Sequence, residues 1–183
     1  GLIGELETNH SDVITNHMGV TEEREKVALA SAPYSSENSV IIVKGDNDEI
    51  QSAEDLAGKT VGVKSGQAVQ PEVVELSEEI GFTVQTYQEN PEMYSDLVMG
   101  RTDAIVGMQS SIQAFSDDLG EELKDVGEPL QTSNIAFFLQ SNEDGETLKV
   151  KLDEVVQKLI DDGTIGAITE EWTGYNLTET IVK

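Results

Sequence analysis

The stretch DVITNHMGVTEER, residues 12–24, predicts a strand, an open loop and the start of a helix in quick succession. Its first apolar residues are β-branched, which favours a strand. The next four, NHMG at 16–19, favour neither helix nor strand, so we expect the chain to open there into a loop. Thr21 then suits the N-cap of a helix with two glutamates in its first turn. Because Arg24 follows one turn into that helix, the stretch predicts a corner that binds an anion.

The charge balance makes this arginine unusual. The 183 residues include 36 acidic and 11 basic side chains, a formal net charge of -25, and only Arg24 and Arg101 are arginines. Such an excess of acid disfavours binding to nucleic acid or to anionic lipid. The acids are spread through predicted helices, so they indicate a solvated surface on a folded protein, for which a salt-rich (halophilic) habitat and an ordinary acidic surface are both adequate explanations. The alternative to an anion site is that Arg24 simply pairs with neighbouring glutamates.

Four segments in order resemble one known family. The first is DVITNHMGVTEER at 12–24 together with ASAPYSS at 30–36. The others are SAEDLAGKTVGVKSGQ at 52–67, YQENPEMYSDLVMGRTDAIV at 87–106 and KLIDDGTIGAITEEWTG at 158–174. This pattern is similar to the type 2 periplasmic amino-acid-binding proteins, the extracellular solute receptors of ABC importers. Within that family it looks most like the cystine-binding branch.

Strands alternate with helices along the chain, which predicts an α/β fold with a mostly parallel sheet. The resemblance implies the two-lobed fold of type II periplasmic binding proteins, with the ligand between the lobes. We assign residues 1–43 with 130–183 to lobe I and residues 44–129 to lobe II. The family pattern has an extra strand-helix-strand before the segment that matches GLIGELE, so we expect lobe I to be incomplete, with a homodimer or strand exchange as one way to complete it.

The resemblance also carries over ligand-binding residues. Arg24 matches the arginine that clamps the ligand α-carboxylate. The loop before it would line the ligand, with the Met18 carbonyl towards the α-amino group, and the turn after the strand TVGVK would face the same carboxylate from the other lobe. The full predicted set is Asn16, His17, Met18, Gly19, Arg24, Gly66, Gln67, Ala68 and Met108.

Three positions depart from the family pattern. Gly19 stands where a Ser or Thr is common, and Gln67 replaces the usual Thr. Met108 falls where the family has the aspartate that pairs with the ligand ammonium, and a thioether cannot supply that charge. We expect Met108 to line the cleft wall, although a core methionine is the alternative. Its neighbour Gln109 would offer only a neutral dipole.

Other chemistry is poorly supported. GKT at 58–60 lacks the preceding glycine of a phosphate-binding loop, and His10 and His17 are not at metal-ligand spacing. No G-x-S-x-G nucleophile motif occurs. We therefore expect no catalytic residue, no metal and no cofactor.

The resulting hypothesis is a non-enzymatic receptor that captures a small amino-acid-like ligand, with cystine as one option, for an ABC permease. It would act in the periplasm or outside the cell, held at the membrane by the transporter or by a lipid anchor. Two alternatives stay open: an enzyme on the same scaffold, such as a cyclohexadienyl or arogenate dehydratase with His17 as general acid, and a sensor domain of a larger receptor.

Overall fold

The computed structural model describes residues 2–182, and the chain divides into two compact units. The first unit comprises Gly1–Glu37 and Thr132–Lys183, and the second comprises Asn38–Gln131. The chain passes from one to the other within two long strands, β3 (Ser35–Lys44) and β7 (Leu123–Gln140).

The second unit is built around parallel strands. β4 (Thr60–Lys64) pairs in parallel with both β5 (Thr83–Tyr87) and β6 (Ala104–Met108), and β3 pairs antiparallel with β6. These strands are rich in valine and isoleucine because both faces of such a sheet are covered. The covering elements are a 3-10 turn at Ala53–Leu56, α3 (Gln70–Ile80), α4 (Asn90–Val98), a 3-10 turn at Gln109–Ser111 and α5 (Ile112–Leu119).

A polar network centred on the buried Asp96 holds α4 against the sheet. Tyr87 donates from its hydroxyl to one oxygen of Asp96 at 2.9 Å, and Arg101 donates from Nη1 to the other at 2.8 Å. The hydrogen bond from Arg101, and then the one from Tyr87, lower the pKa of Asp96 below its ordinary value. Burial, and then the hydrogen bond to Asp96, raises the pKa of Tyr87 to about 12. The second arginine of the chain is therefore part of the scaffold.

In the first unit the described strand pairs are antiparallel. β1 (Val13–Gly19) and β2 (Ala28–Ala30) both pair with β7. The helices are α1 (Leu2–Glu7), the one-turn α2 (Glu22–Glu25), α6 (Glu143–Asp161) and α7 (Thr164–Thr173). A small core of Leu6, Ile14, Ala28 and Phe138 lies among them.

The α/β class is as predicted. The apolar segments 123–126 and 134–139 would by themselves indicate two separate strands, with Gly127 and Pro129 between them. The chain instead continues as one strand, β7, and Gly127 accommodates the interruption with a positive φ of 70°. No helix within residues 2–182 has both the length and the apolar character needed to cross a bilayer.

Candidate functional site

The predicted open loop before Arg24 is a bulge in a strand. Ile14 pairs with Phe138, and the next paired residue of β1, Met18, lies opposite Ala136. Three residues, 15–17, therefore lie opposite one, and all three are exposed. The expectation that the strand stops at residue 15 is thus wrong, because Met18 and Gly19 rejoin the ladder. The bulge pushes these side chains out of the sheet, as bulges near binding sites do.

His17 occupies the sharpest point of the bulge. Its φ is 54°, in the left-handed region that non-glycine residues rarely adopt. Strained backbone of this kind concentrates at ligand sites, where the surrounding structure holds it. The neighbouring Asn16 is exposed, whereas the Met18 side chain packs on the small core of the first unit.

Arg24 lies next to the bulge and has no carboxylate partner within residues 2–182. Thr21 caps α2 by accepting from the Arg24 backbone N–H at 3.3 Å, and this sets the start of the helix. The guanidinium donates from Nη1 to the Gly19 carbonyl at 2.5 Å. Among residues 2–182 no Asp or Glu lies within 4.0 Å of it, and its other N–H groups have no acceptor. In a chain of net charge -25, an arginine left unpaired is suited to binding an anion from outside.

Two residues that sequence reasoning missed support the bulge. Glu37 is only 6% exposed and its Oε2 lies 3.2 Å from Nε2 of His17. The Tyr34 ring meets the His17 ring edge-on and stacks on Phe137. Burial raises the pKa of Tyr34. The sequence carries one signal for Glu37. It is an acid that leads into the strand segment SVIIVK, where a buried strand normally excludes charge.

The predicted residues of the second unit gather at one edge of its sheet. Gly66, Gln67 and Ala68 follow β4, and Met108 ends β6. Because β4 and β6 are parallel, both groups lie at their carboxyl ends, where α/β sheets bind ligands. We call this the carboxyl edge.

Backbone N–H groups at the carboxyl edge are only partly available. Gly66 has a φ of 78°, and its N–H donates to Oε1 of Gln70 at 2.8 Å. The Ala68 N–H, by contrast, donates to no acceptor among the described residues. The side-chain oxygen of Gln67 is buried, and within residues 2–182 it has no hydrogen-bond partner.

Met108 has an exposed side chain, whereas the side chain of Gln109 is hydrogen-bonded within the protein. Met108 is 39% exposed, so its side chain is not in the core of the second unit. The Gln109 amide accepts from Asn38 Nδ2 at 2.9 Å and donates to Asp125 Oδ2 at 2.7 Å. Both ends of this amide are occupied, so its dipole is already used within the protein.

A cavity of the first unit lies elsewhere. It has a volume of about 710 Å³, and its lining is Ala32, Asp153, Glu154, Gln157, Lys158, Asp161 and Asp162. None of the predicted ligand-binding residues lines it. Across residues 2–182, no three His, Asp or Glu side chains are grouped so that they could hold a metal ion.

Comparisons with known proteins agree with the resemblance. The chain is 32% identical over 179 residues to PatH of Vibrio harveyi, whose name describes an amino-acid ABC transporter-binding protein; the match covers 98% of this chain and 71% of PatH. It is 30% identical over 180 residues to the L-cystine-binding protein TcyJ of Escherichia coli K12, covering 98% of this chain and 66% of TcyJ. The chain thus spans about two thirds of the length of these relatives.

Solved structures give the same fold. Substrate binding domain 2 of Lactococcus lactis GlnP, in its open conformation, superposes with a TM-score of 0.82 at 25% identity, over 94% of this chain and 73% of that domain. The family model for bacterial extracellular solute-binding proteins, family 3, matches residues 1–175. The chain therefore belongs to family 3 of the bacterial extracellular solute-binding proteins.

Proposed function

We propose that this chain binds a small amino-acid-like ligand by its α-carboxylate and presents it to an ABC importer. The observation that carries the proposal is the half-buried Arg24, whose guanidinium has no carboxylate within 4.0 Å among the described residues of a strongly acidic chain. A guanidinium fork matches a carboxylate in a bidentate way, which gives both strength and orientation. The names of PatH and TcyJ support the same class of ligand.

We propose ligand-binding residues in each unit by itself. Asn16, His17, Met18, Gly19 and Arg24 form one surface in the first unit. In the second unit, the carboxyl edge offers the Ala68 N–H as a donor and, after release from Gln70, the Gly66 N–H. A Cβ added to Gly19 would lie 3.7 Å from Ser133 Cβ, which is an ordinary van der Waals distance. Steric crowding therefore does not require a glycine at this position. Among the nine proposed residues, Arg24 can bind an anion and none carries a carboxylate for the ammonium.

Isothermal titration calorimetry against the common L-amino acids and L-cystine tests the proposal. We expect one-to-one binding of a subset of them, and recovery of the ligand chemically unchanged, because a receptor has no turnover. L-cystine is the first ligand to try, given the likeness to TcyJ. Absence of binding by every member of this panel would contradict the proposal, and conversion of the ligand would favour an enzyme.

The cellular setting follows from the same proposal. The chain would act in the periplasm or on the cell surface, docked on its permease or held by a lipid anchor. Association with a second copy is also proposed. Ile168 and Trp172, 52% and 77% exposed on α7, supply apolar surface for such a contact. Sedimentation velocity at micromolar protein tests this, and a monomer at every concentration would contradict it.

We also propose that the acidic surface suits a salt-rich habitat. Thirty-six acids against eleven bases repel one another at low ionic strength. The Debye length falls from about 30 Å at 0.01 M salt to about 3 Å at 1 M. The melting temperature should therefore rise from low salt to molar potassium chloride, and a flat or falling midpoint would show that the acids are compensated locally.

A further inference from the structure

We propose that Glu37 fixes the tautomer of His17 so that the imidazole Nδ1 accepts an N–H from the amino group of the ligand. The inference rests on the proposed function and adds to it a group that recognises the ammonium. It assigns Glu37 as a positioning residue, since Glu37 acts through His17.

The tautomer follows from the chemistry of the pair. Oε2 of Glu37 and Nε2 of His17 are 3.2 Å apart, within hydrogen-bond distance. A carboxylate has no proton to give, so Nε2 must donate. In the neutral ring the other nitrogen, Nδ1, then carries a lone pair and no proton.

The position of the ring leaves that lone pair available. The His17 side chain is 43% exposed, whereas Glu37 is 6% exposed, so the carboxylate supports the ring from its buried side. Nδ1 has no hydrogen-bond partner among residues 2–182. The edge-on Tyr34 ring, itself stacked on Phe137 at 4.6 Å, restricts rotation of the imidazole.

The location fits the amino group of a ligand anchored by Arg24. His17 and Arg24 flank Met18 and Gly19, and the guanidinium donates to the Gly19 carbonyl. A ligand carboxylate on Arg24 therefore brings its α-ammonium to the neighbourhood of the bulge. At position 108 of the second unit the chain has a methionine, which offers no hydrogen-bond acceptor of comparable strength.

Two probes separate amine recognition from carboxylate recognition. L-Cystine carries both groups, and 3,3′-dithiodipropionic acid is the same disulfide without its amino groups. Calorimetry measures the affinity for each probe in wild type and in three variants. The quantity compared is the affinity for L-cystine divided by the affinity for 3,3′-dithiodipropionic acid. His17→Gly removes the imidazole, and the positive φ at this position suits glycine, so this variant should fold. Glu37→Leu removes the support, and Glu37→Gln keeps an acceptor for Nε2–H.

We expect His17→Gly and Glu37→Leu each to lower the ratio by about tenfold or more, the loss of a hydrogen bond to a charged group. Glu37→Gln should lower the ratio by less than Glu37→Leu, because its amide oxygen can still accept from Nε2–H although its NH2 group can also donate to the ring. Affinity for the carboxylate-only probe should fall by less than affinity for L-cystine in His17→Gly and Glu37→Leu. Nitrogen-15 NMR of the ligand-free protein, recorded at a pH where the ring carries one proton, should place that proton on Nε2.

The outcomes distinguish the inference from the proposed function. If L-cystine or another amino acid binds in an Arg24-dependent way but the ratio is unchanged in His17→Gly, the inference is wrong and the receptor function stands. A proton on Nδ1 in the NMR spectrum also overturns the inference, and this result needs no ligand. If neither probe nor any amino acid binds, the proposed function itself fails. Where L-cystine is not bound, the best amino acid of the panel and its des-amino analogue replace the two probes.

Discussion

The Arg24 corner of the first unit, residues 15–24, and the carboxyl edge of the second unit hold their polar groups in contrasting ways. At the corner, the cation Arg24 has no acidic partner among the described residues, and His17 has a free nitrogen backed by a buried carboxylate. At the edge, one amide N–H is bound to Gln70, Gln109 is bonded at both ends, and Met108 carries no charge. The difference teaches that, under the proposed function, recognition of ligand charge would fall to the first unit, while the carboxyl edge would offer neutral dipoles.

The largest expected effect is the loss of Arg24. Arg24→Ala should weaken ligand binding by about 3–5 kcal/mol if the ion pair with the carboxylate is buried, about a hundred-fold to several-thousand-fold in affinity. The affinity of Arg24→Lys should lie between those of wild type and Arg24→Ala, because an ammonium keeps the charge without the bidentate fork. Calorimetry with the best ligand of the panel measures both.

The other arginine of the chain is the matched control. Arg101→Ala removes the same side chain from the Asp96 network, so it should lower the melting temperature and leave the binding constant unchanged. Equal losses of affinity in the two variants would show that general charge, and not the corner, attracts the ligand.

The next largest effect is expected when a charged residue is introduced at the carboxyl edge. Met108→Asp places a carboxylate at the exposed end of β6 and should raise affinity for α-amino acids about tenfold, while the des-amino analogues gain nothing. Met99→Asp, at another exposed methionine of the second unit, adds the same charge elsewhere. A similar gain in both variants would mean that the added charge acts only through the overall field. If unmutated protein binds an α-amino acid below micromolar concentration and the amine is essential, then residue 108 is not the position that decides amine recognition.

A smaller effect should come from Gln70. Its side chain occupies the Gly66 N–H, so Gln70→Ala should release that donor for a ligand carboxylate and raise affinity about twofold to fivefold. Gln113→Ala, which removes an exposed glutamine bonded to Asp117 in α5, should leave affinity unchanged. A weaker complex in Gln70→Ala would indicate that Gln70 itself contacts the ligand.

The smallest effect on binding, and a clear effect on stability, is expected at Asp96. Its folded pKa lies below the ordinary value of 3.8, so it contributes stability above that pH, and the contribution is lost as pH falls through the folded pKa. Asp96→Asn should therefore lower the melting temperature at neutral pH, and its deficit against wild type should shrink below about pH 4. A deficit of constant size at every pH would show that the carboxylate charge is not what Arg101 and Tyr87 stabilise.

The sequence supports prediction where a residue and its local neighbours suffice. Thr21 as N-cap sets the position of Arg24 on α2, and the hydrogen bond from the Arg24 N–H confirms that cap. The α/β class follows from alternating apolar runs and amphipathic segments, whose periods depend only on the geometry of each element. The family resemblance needed four short segments in order, and all of them are visible without a structure.

Pairing between distant segments is what the sequence leaves undetermined. The bulge arises because Met18 finds a partner in Ala136, more than a hundred positions away in the chain. The same ladder sets the positive φ of His17 and its contact with Glu37. A glutamate before an apolar strand can lie on either face of the sheet, and the register of strand pairing decides which face it takes.

The sequence by itself determined the fold class, the family and the arginine that anchors our proposal, because these depend on composition, local periodicity and ordered motifs. The tertiary structure alone decided that Arg24 has no acidic partner among residues 2–182, that Gln70 occupies the Gly66 N–H and that His17 lies against a buried Glu37. The physical reason is that a hydrogen bond or an ion pair requires two groups within about 3–4 Å of each other. Such distances are set by strand register and packing, and the order of residues along the chain does not specify them.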